Sequence, residues 1–382
     1  MKRGKKMGKI RIGLIGCGII GESHLACYRD QTPDAEVVAV CEILPDRLKD
    51  VADRFNIKKR YTNIGNMLAN PDIDLIDICL HNNWHAPVAI AAMEAGKDVY
   101  CEKPMAGSYA DAKAMYDCSV RTGRKLHIQL SMIYSNEAKA AKRFIEADML
   151  GEIYHMRSYG FRRRGRPYVD GYARKEFVNT KTAGGGALFD MGVYHISKLL
   201  WLTGIPKLER VCGSVYAKLP MDEKRREISG YNVEELGTGY ATYEGGLTMD
   251  ILESWAIYAR PFPSSIICGS KGGLSMSPLT FHSAMEDIQS DTTFDLSQFD
   301  YLNHTVYPEM AMYDNSQIHL IAALQGKCEL LPTREIALQT QLVQEGIYIS
   351  NRLGREVTAE EIAQHSVSTA LEVPNLIADG KE

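Results

Sequence analysis

The stretch KIRIGLIGCGIIGESH, Lys9–His24, decides the fold. Its first half is an apolar run that reads as a β-strand, and its second half opens a helix. Between them stands Gly16-x-Gly18-x-x-Gly21. The first glycine permits a tight turn, the second lets backbone approach a pyrophosphate, and the third lets helix and strand pack closely. The helix N-terminus adds N–H groups and a partial positive charge for phosphates. Such a turn is weak evidence alone, but Glu42 follows Gly21 by 21 positions, at the end of the next apolar run. A carboxylate there accepts hydrogen bonds from the hydroxyls of an adenosine ribose. Gly16, Gly18, Ile19, Ile20, Gly21 and Glu42 are therefore the expected cofactor cradle, with NAD as the expected cofactor. Glu42 would repel a 2′-phosphate and the next residues, Ile43 and Leu44, are not basic, so NADP ranks second; Arg47 is the neighbour that speaks for it.

Downstream, strand-like and helix-like segments alternate. Apolar runs at 9–16, 36–42, 75–80, 98–103 and 125–130 read as parallel strands covered on both faces. PDRLKDVADRF carries apolar residues at helical spacing, and HAPVAIAAMEAG ends on Gly96, a fitting helix-terminal glycine. Alternation of this kind builds a doubly wound α/β sheet, a Rossmann domain. Near residue 150 the pattern changes. Runs at 151–162, 207–219, 236–258 and 264–276 follow one another, with a hairpin turn at Gly245-Gly246, and helical segments close the chain at about 311–325 and 334–352. The expectation is a loose tail over 1–8, a Rossmann domain over 9–133, and an α+β domain over 134–382. The second domain would hold a large, mostly antiparallel sheet with one open face, suited to a homo-oligomer, dimer or tetramer.

With 382 residues, 45% hydrophobic and 24% charged, the chain can bury two sizeable cores. A net charge of −4 argues against a general nucleic-acid or acidic-membrane binder. Nine cysteines, an odd count with no C-x-x-C pair, fit free thiols in a reducing cytoplasm. No run reaches the ~18 apolar residues of a membrane span. The histidines, His304 and His319 among them, lack metal-ligand spacing, and no metal is expected.

Ligands of such sheets bind beyond the carboxyl ends of the strands. Two segments stand there: HNNWH (81–85), with Asn82, Asn83 and His85, and VYCEKPMAG (99–107), with Glu102 and Lys103 before Pro104. Both are expected near the nicotinamide. Taken alone, Lys103 reads as an ordinary solvated strand-end lysine, and His85 equally as a helix-start residue without chemistry.

DICLHNNWHAPVAIAAMEAGKDVYCEKPMAGSYADA resembles the signature region of the Gfo/Idh/MocA oxidoreductases, with its Glu-Lys-Pro motif after the fifth strand. GGGALFDMGVYHISKLLWLTG (184–204) is similar to the family's second signature, in which a Gly-rich turn leads to a helix Asp and, four residues on, a His or Tyr. The resemblance spans nearly the whole chain. It implies NAD(P)-dependent oxidation or reduction of one carbon of a sugar, sugar derivative or cyclitol. It also implies Lys103 as catalytic lysine, Asp190 as the helix Asp and Tyr194 at the His/Tyr position. His81-Asn82-Asn83 replaces the family's frequent Thr-Pro-Asn, and Ile133 and Ser197 replace an Arg and an Asp. These departures bear on substrate identity more than on reaction type.

Alcohol oxidation needs a group to take the hydroxyl proton. If 187–202 is one helix, Asp190 and Tyr194 share a face while His195 points aside. A tyrosine of pKa ~10 costs roughly 4 kcal/mol to ionise at neutrality, a cost that an adjacent ammonium reduces. Lys103 with Tyr194 is the expected proton-transfer pair, Asp190 orients lysine or substrate, and His195 is a substitute acid/base or substrate contact. FRRRGRPYVDGYARKEF (161–177) precedes the second signature. Its Arg164 and Tyr168 are candidate substrate contacts for a carboxylate or phosphate, against a solvated loop or subunit contact. Two other readings stay open: a redox-assisted glycosidase or lyase that recycles NAD through a transient keto-sugar, and a non-catalytic NAD-binding regulator.

Overall fold

The computed structural model describes residues 8–373 and residue 376. Apart from Gly8, the expected tail over 1–8 lies outside the described residues. Six parallel strands form the first sheet: β1 (Ile10–Ile15), β2 (Ala35–Cys41), β3 (Lys59–Tyr61), β4 (Leu75–Ile78), β5 (Asp98–Cys101) and β6 (Leu126–Ile128). Their order is β3-β2-β1-β4-β5-β6. It is the doubly wound Rossmann order, and its switch point lies between β1 and β4. Ile12, Leu14, Leu75, Ile76, Ile78 and Val99 have no exposure, as the continuous apolar runs require. The sequence reading misses β3. Its KRY segment is a three-residue edge strand in which only Tyr61 packs on the core.

The second sheet has nine strands: β7 (Ile153–Phe161), β8 (Leu208–Tyr216), β9 (Leu236–Tyr243), β10 (Thr248–Ser254), β11 (Ile266–Gly269), β12 (Gly273–Met276), β13 (Leu279–Met285), β14 (Ile288–Thr293) and β15 (Val357–Thr358). The order is β14-β13-β12-β11-β7-β10-β9-β8-β15, antiparallel except between β7 and β10. Gly245 and Gly246, at φ 81° and 82°, make the turn between β9 and β10. The hairpin β13–β14, which pairs the half-buried β13 with the exposed, polar β14, is absent from the sequence reading.

One face of this sheet is covered by the helices Gly192–Leu202 and Thr333–Leu353. Ile196, Leu199 and Leu200 from the first, and Leu342, Val343 and Ile347 from the second, share a core with Met156, Met249 and Ile251. On the opposite face Tyr159, Phe161, Leu252 and Ile266 are only half-buried and Tyr240 is exposed.

The two lobes are also joined from behind. The first turn of Thr333–Leu353 puts Ile336 and Ala337 into the core that holds Val99 and Ile128. The helix Ser316–Leu324 puts Leu320 and Ile321 against Ile12 and Tyr100. Truncating a buried Ile such as Ile336 to Ala costs about 2–5 kcal/mol.

Candidate active site

The turn after β1 has the shape its sequence demands. Gly16 lies at φ 96°, and a Cβ there would stand 2.3 Å from the Cys79 carbonyl oxygen. A Cβ on Gly21 would meet the Gly16 carbonyl oxygen at 2.0 Å. Around Gly18 nothing lies within 4 Å of a Cβ, so this is the open approach for a phosphate. The helix Ile19–Gln31 starts there with its N–H groups uncapped by a side chain. Glu42 is buried, and its carboxylate accepts from Cys17 N–H at 3.2 Å and Leu44 N–H at 3.1 Å. Arg47 Nη1 is 3.4 Å from that carboxylate, so its charge is already answered. Ile19, Ile20, Ile43 and Leu44 stand exposed around this end of β1 and β2, an apolar wall without a function unless a planar ligand covers it. These residues fit NAD.

Lys103 projects beyond β5. Its ammonium is 2.8 Å from Asp190 Oδ1 and lies over the Tyr194 ring, 4.3 Å from the centroid. Burial alone would lower its pKa, but Asp190 and Tyr194 more than offset this and raise it, so Lys103 stays protonated. Burial likewise pushes the Asp190 carboxyl up, and Lys103, with the Trp255 indole and Arg162, brings it below the usual range. Trp255 Nε1 donates to Asp190 Oδ2 at 2.9 Å. Asn82, Lys103, Phe177, Gly186, Asp190 and Trp255 line one small cleft.

The segment that delivers Asp190 is not one helix. Ala187–Asp190 and Gly192–Leu202 are separated at Met191. Even so, Asp190 and Tyr194 both meet Lys103, as one helical face predicts. The preceding glycines make room for packing. A Cβ on Gly185 would hit the Tyr348 hydroxyl at 2.4 Å, and one on Gly186 the Glu234 carbonyl oxygen at 2.1 Å. The buried Glu234 carboxylate accepts from Gly186 N–H at 2.8 Å and Leu188 N–H at 2.9 Å, and so caps the short helix ending on Asp190.

His195 turns aside, as expected, and meets Glu253 Oε2 through Nδ1 at 2.9 Å. Glu253 has no exposure, and Ser158 also donates to it at 2.8 Å. Glu253 lies near the end of β10 and Trp255 two positions on, just past it. One strand face therefore holds His195 and Asp190 in place.

Three of the expected cofactor contacts have their side chains engaged within the protein. His85 is fully buried, with Nδ1 2.9 Å from Pro104 O and Nε2 3.1 Å from Leu80 O, so both ring nitrogens face protein. Asn83 is buried, donates to Lys181 O at 2.8 Å, and accepts from Thr369 Oγ1 at 3.0 Å. Both are internal clamps. Glu102 spends one oxygen on His24 and the other on the Lys103 N–H, leaving the cofactor side. Asn82 stays at the cleft and donates to Ala183 O at 2.7 Å.

The basic segment divides. Arg164 is exposed, 3.9 Å from Asp170. Tyr168, at φ 62°, packs in the cluster around Trp255. Arg166 is buried between Asp170 (2.9 Å) and Glu235 (3.1 Å), an internal anchor for the loop. Arg162 hydrogen-bonds the Tyr172 hydroxyl, and both act electrostatically on or with Asp190. Sequence reasoning missed Trp255 and Glu253. An acidic residue inside the apolar run ILESWAIY is the signal that could have found the latter.

Residues 10–130 match the model described as oxidoreductase family, NAD-binding Rossmann fold, and residues 138–275 match the GFO/IDH/MocA C-terminal domain. The chain is 24% identical over 340 residues to D-glucoside 3-dehydrogenase of Escherichia coli (strain K12), covering 85% of this chain and 95% of that one. It is 30% identical over 155 residues to inositol 2-dehydrogenase of Salmonella typhimurium (strain LT2), over 39% of this chain and 46% of that protein. A solved levoglucosan dehydrogenase, in complex with NADH and L-sorbose, superposes with a TM-score of 0.75 at 22% identity, covering 92% of this chain and 99% of that one. At that identity the likeness is one of fold. Cradle, strand-end lysine and matched sequence agree: the chain belongs to the Gfo/Idh/MocA family of NAD-binding oxidoreductases.

Proposed function

We propose that this protein uses NAD to oxidise a carbinol carbon of a sugar, sugar derivative or cyclitol, or to reduce the corresponding ketone. The observation that carries this reading is the Lys103 ammonium at the strand end, held by Asp190 and set over the Tyr194 ring. The names of its relatives, dehydrogenases of a glucoside and of inositol, support the substrate class. NAD, when bound, supplies the hydride acceptor.

The chain's own residues manage the proton. A lysine kept protonated by a carboxylate serves as donor to the substrate oxygen while negative charge develops there. Asp190 has one oxygen on Lys103 and one on Trp255, so it orients and does not act as base. In the oxidation direction the hydroxyl proton goes to Tyr194, the group in contact with Lys103, and in the reduction direction Tyr194 gives it back. His195, oriented by Glu253, is the second candidate.

A cofactor lobe over 9–133 and a substrate lobe from 134 onward belong to the same proposal, as does a homo-oligomer formed through the uncovered sheet face with Tyr159, Phe161 and Tyr240. All nine cysteines are free thiols, which supports a reducing cytoplasm. No helix among the described residues is long and apolar enough to cross a membrane.

The test is a panel of pyranoses, uronates, inositols and glycosides with NAD, following NADH at 340 nm and released products. NADH formed with a neutral polyol or sugar supports the reading. Aglycone released without net NADH favours the redox-assisted glycosidase. A protein that binds NADH and turns over nothing in the panel overturns both.

A further inference from the structure

Lys103 has two carboxylates beside it, and only one holds its ammonium. Asp190 does so at 2.8 Å. Glu102, the preceding residue, is turned the other way: Oε1 is 3.0 Å from His24 Nε2, and Oε2 accepts the Lys103 backbone N–H at 3.0 Å. His24 Nδ1 lies 2.9 Å from Asp77 Oδ2. Both ring nitrogens thus face carboxylate oxygens. An ionised carboxylate only accepts, so both nitrogens donate and the ring is an imidazolium.

The surroundings agree. Burial works against that charge, but Asp77 and Cys79 more than offset it and raise the His24 pKa well above the ordinary value. The titratable groups around the ring are Asp77 on β4 and Cys79 just after it, Tyr100 on β5 and Glu102 just after it, and Cys27 and Tyr28 on its own helix. From the helix Ser316–Leu324, neutral Gln317 donates to the His24 carbonyl. Asp77 has no exposure and His24 has 4%, so this charge system is internal.

A lysine ammonium on its flexible stem settles between whatever carboxylates are free. We propose that His24 is a positioning residue for Lys103: it occupies Glu102, leaving Asp190 as the sole carboxylate on the ammonium and the amine aimed at the substrate oxygen. His24 lies three residues after Gly21, on the helix whose N-terminus forms the phosphate cradle. One helix therefore sets both the cofactor and the lysine. The inference rests on the reading of Lys103 as the proton-transfer lysine.

The test compares three full-length proteins: Asp77→Asn; His24→Asn with Asp77→Asn; and the same pair with Glu102→Gln. The Asp77→Asn background avoids a stranded buried carboxylate at that position. Asn at 24 can serve the Nδ1 side while releasing Glu102. If the double variant does not fold, His24→Leu in the same background replaces it. The first readout needs no sugar: the rate at which acetic anhydride labels Lys103 at pH 9, by peptide mass spectrometry. NADH binding by fluorescence is followed in parallel.

A freed Glu102 should hold the ammonium more firmly, slowing labelling at least threefold in the double variant, with NADH affinity within threefold. Glu102→Gln should return the rate to within twofold of Asp77→Asn. With any sugar the panel identifies, kcat should fall about tenfold and recover in the same order. Unchanged labelling in the double variant, or a triple variant as slow as the double, overturns the proposal. A purely structural role predicts damage that grows with each substitution, not recovery. Labelling that follows the predicted order with no sugar oxidised leaves the positioning role standing and removes the functional reading.

Discussion

Tyr100 is stacked with two buried histidines, His24 at 5.4 Å and His127 at 5.7 Å. Both stack on the same ring, and one is charged while the other is neutral. His24 faces carboxylates through both nitrogens and is held protonated. His127 sits between hydroxyls, with Nδ1 2.8 Å from Thr333 Oγ1 and Nε2 3.1 Å from Ser316 Oγ and from the Tyr134 hydroxyl. Burial, helped by neighbouring His319, drops its pKa well below the ordinary value. His319 accepts the Leu331 N–H on Nε2 at 2.9 Å, and burial lowers its pKa to about 4. Burial is alike in all three, at 4%, 0% and 0%. What differs is whether the partners donate or accept. The carboxylate side backs Lys103, and the hydroxyl side backs the seam where the C-terminal helices join the first sheet.

The largest effect should come from the charged side. Lys103→Ala should lower kcat on the order of 10²–10³-fold with NADH affinity within a few-fold, the scale of losing a donor to a developing oxyanion. His127→Gln should leave kcat within about threefold of wild type while lowering the melting temperature. The contrast breaks if the two variants lose activity alike.

Next is Trp255→Phe, which removes the indole donor from Asp190 Oδ2. It should lower kcat about tenfold with a smaller change in sugar KM, read by steady-state kinetics.

The third sharpens the charge contrast through pH. A histidine whose folded pKa is raised stabilises fully below its unfolded pKa of about 6.5, and that stability is lost as pH rises through the folded value. A histidine whose folded pKa is lowered stabilises above about 6.5, and that stability is lost as pH falls toward the folded value, about 4 for His319. Melting temperature against pH should therefore fall on both sides. His24→Asn should flatten the alkaline limb when compared in the Asp77→Asn background, and His319→Gln the acid one. Swapped or unaffected limbs would refute the charge assignments.

The smallest effect lies far from either histidine. Thr358 caps the helix Ala359–His365 in a capping box with Glu361. Thr358→Ala should cost about 1 kcal/mol of stability by chemical denaturation and leave turnover alone.

Residues 9–24 carried the Rossmann reading because a phosphate turn is a local object. Strand, glycine spacing and helix start all lie within sixteen residues, and Gly16 and Gly21 each have a steric reason in the backbone beside them. Lys103, Asp190 and Tyr194 could be named together through a family resemblance, and a helical face was enough to pair the last two. Periodicity could not find β3 or β14, which bury too little to carry an apolar signal, and β13 buries residues only at its first end. Nor could it assign the charge on His24 or the clamp roles of Asn83 and His85. Those depend on which acceptor or donor another part of the chain brings within 3 Å: Asp77 and Glu102 for the first, Thr369 and Lys181 for the second, Pro104 for the third. Hydrogen-bond direction is a property of a contact, and contacts between distant residues exist only once the chain has folded.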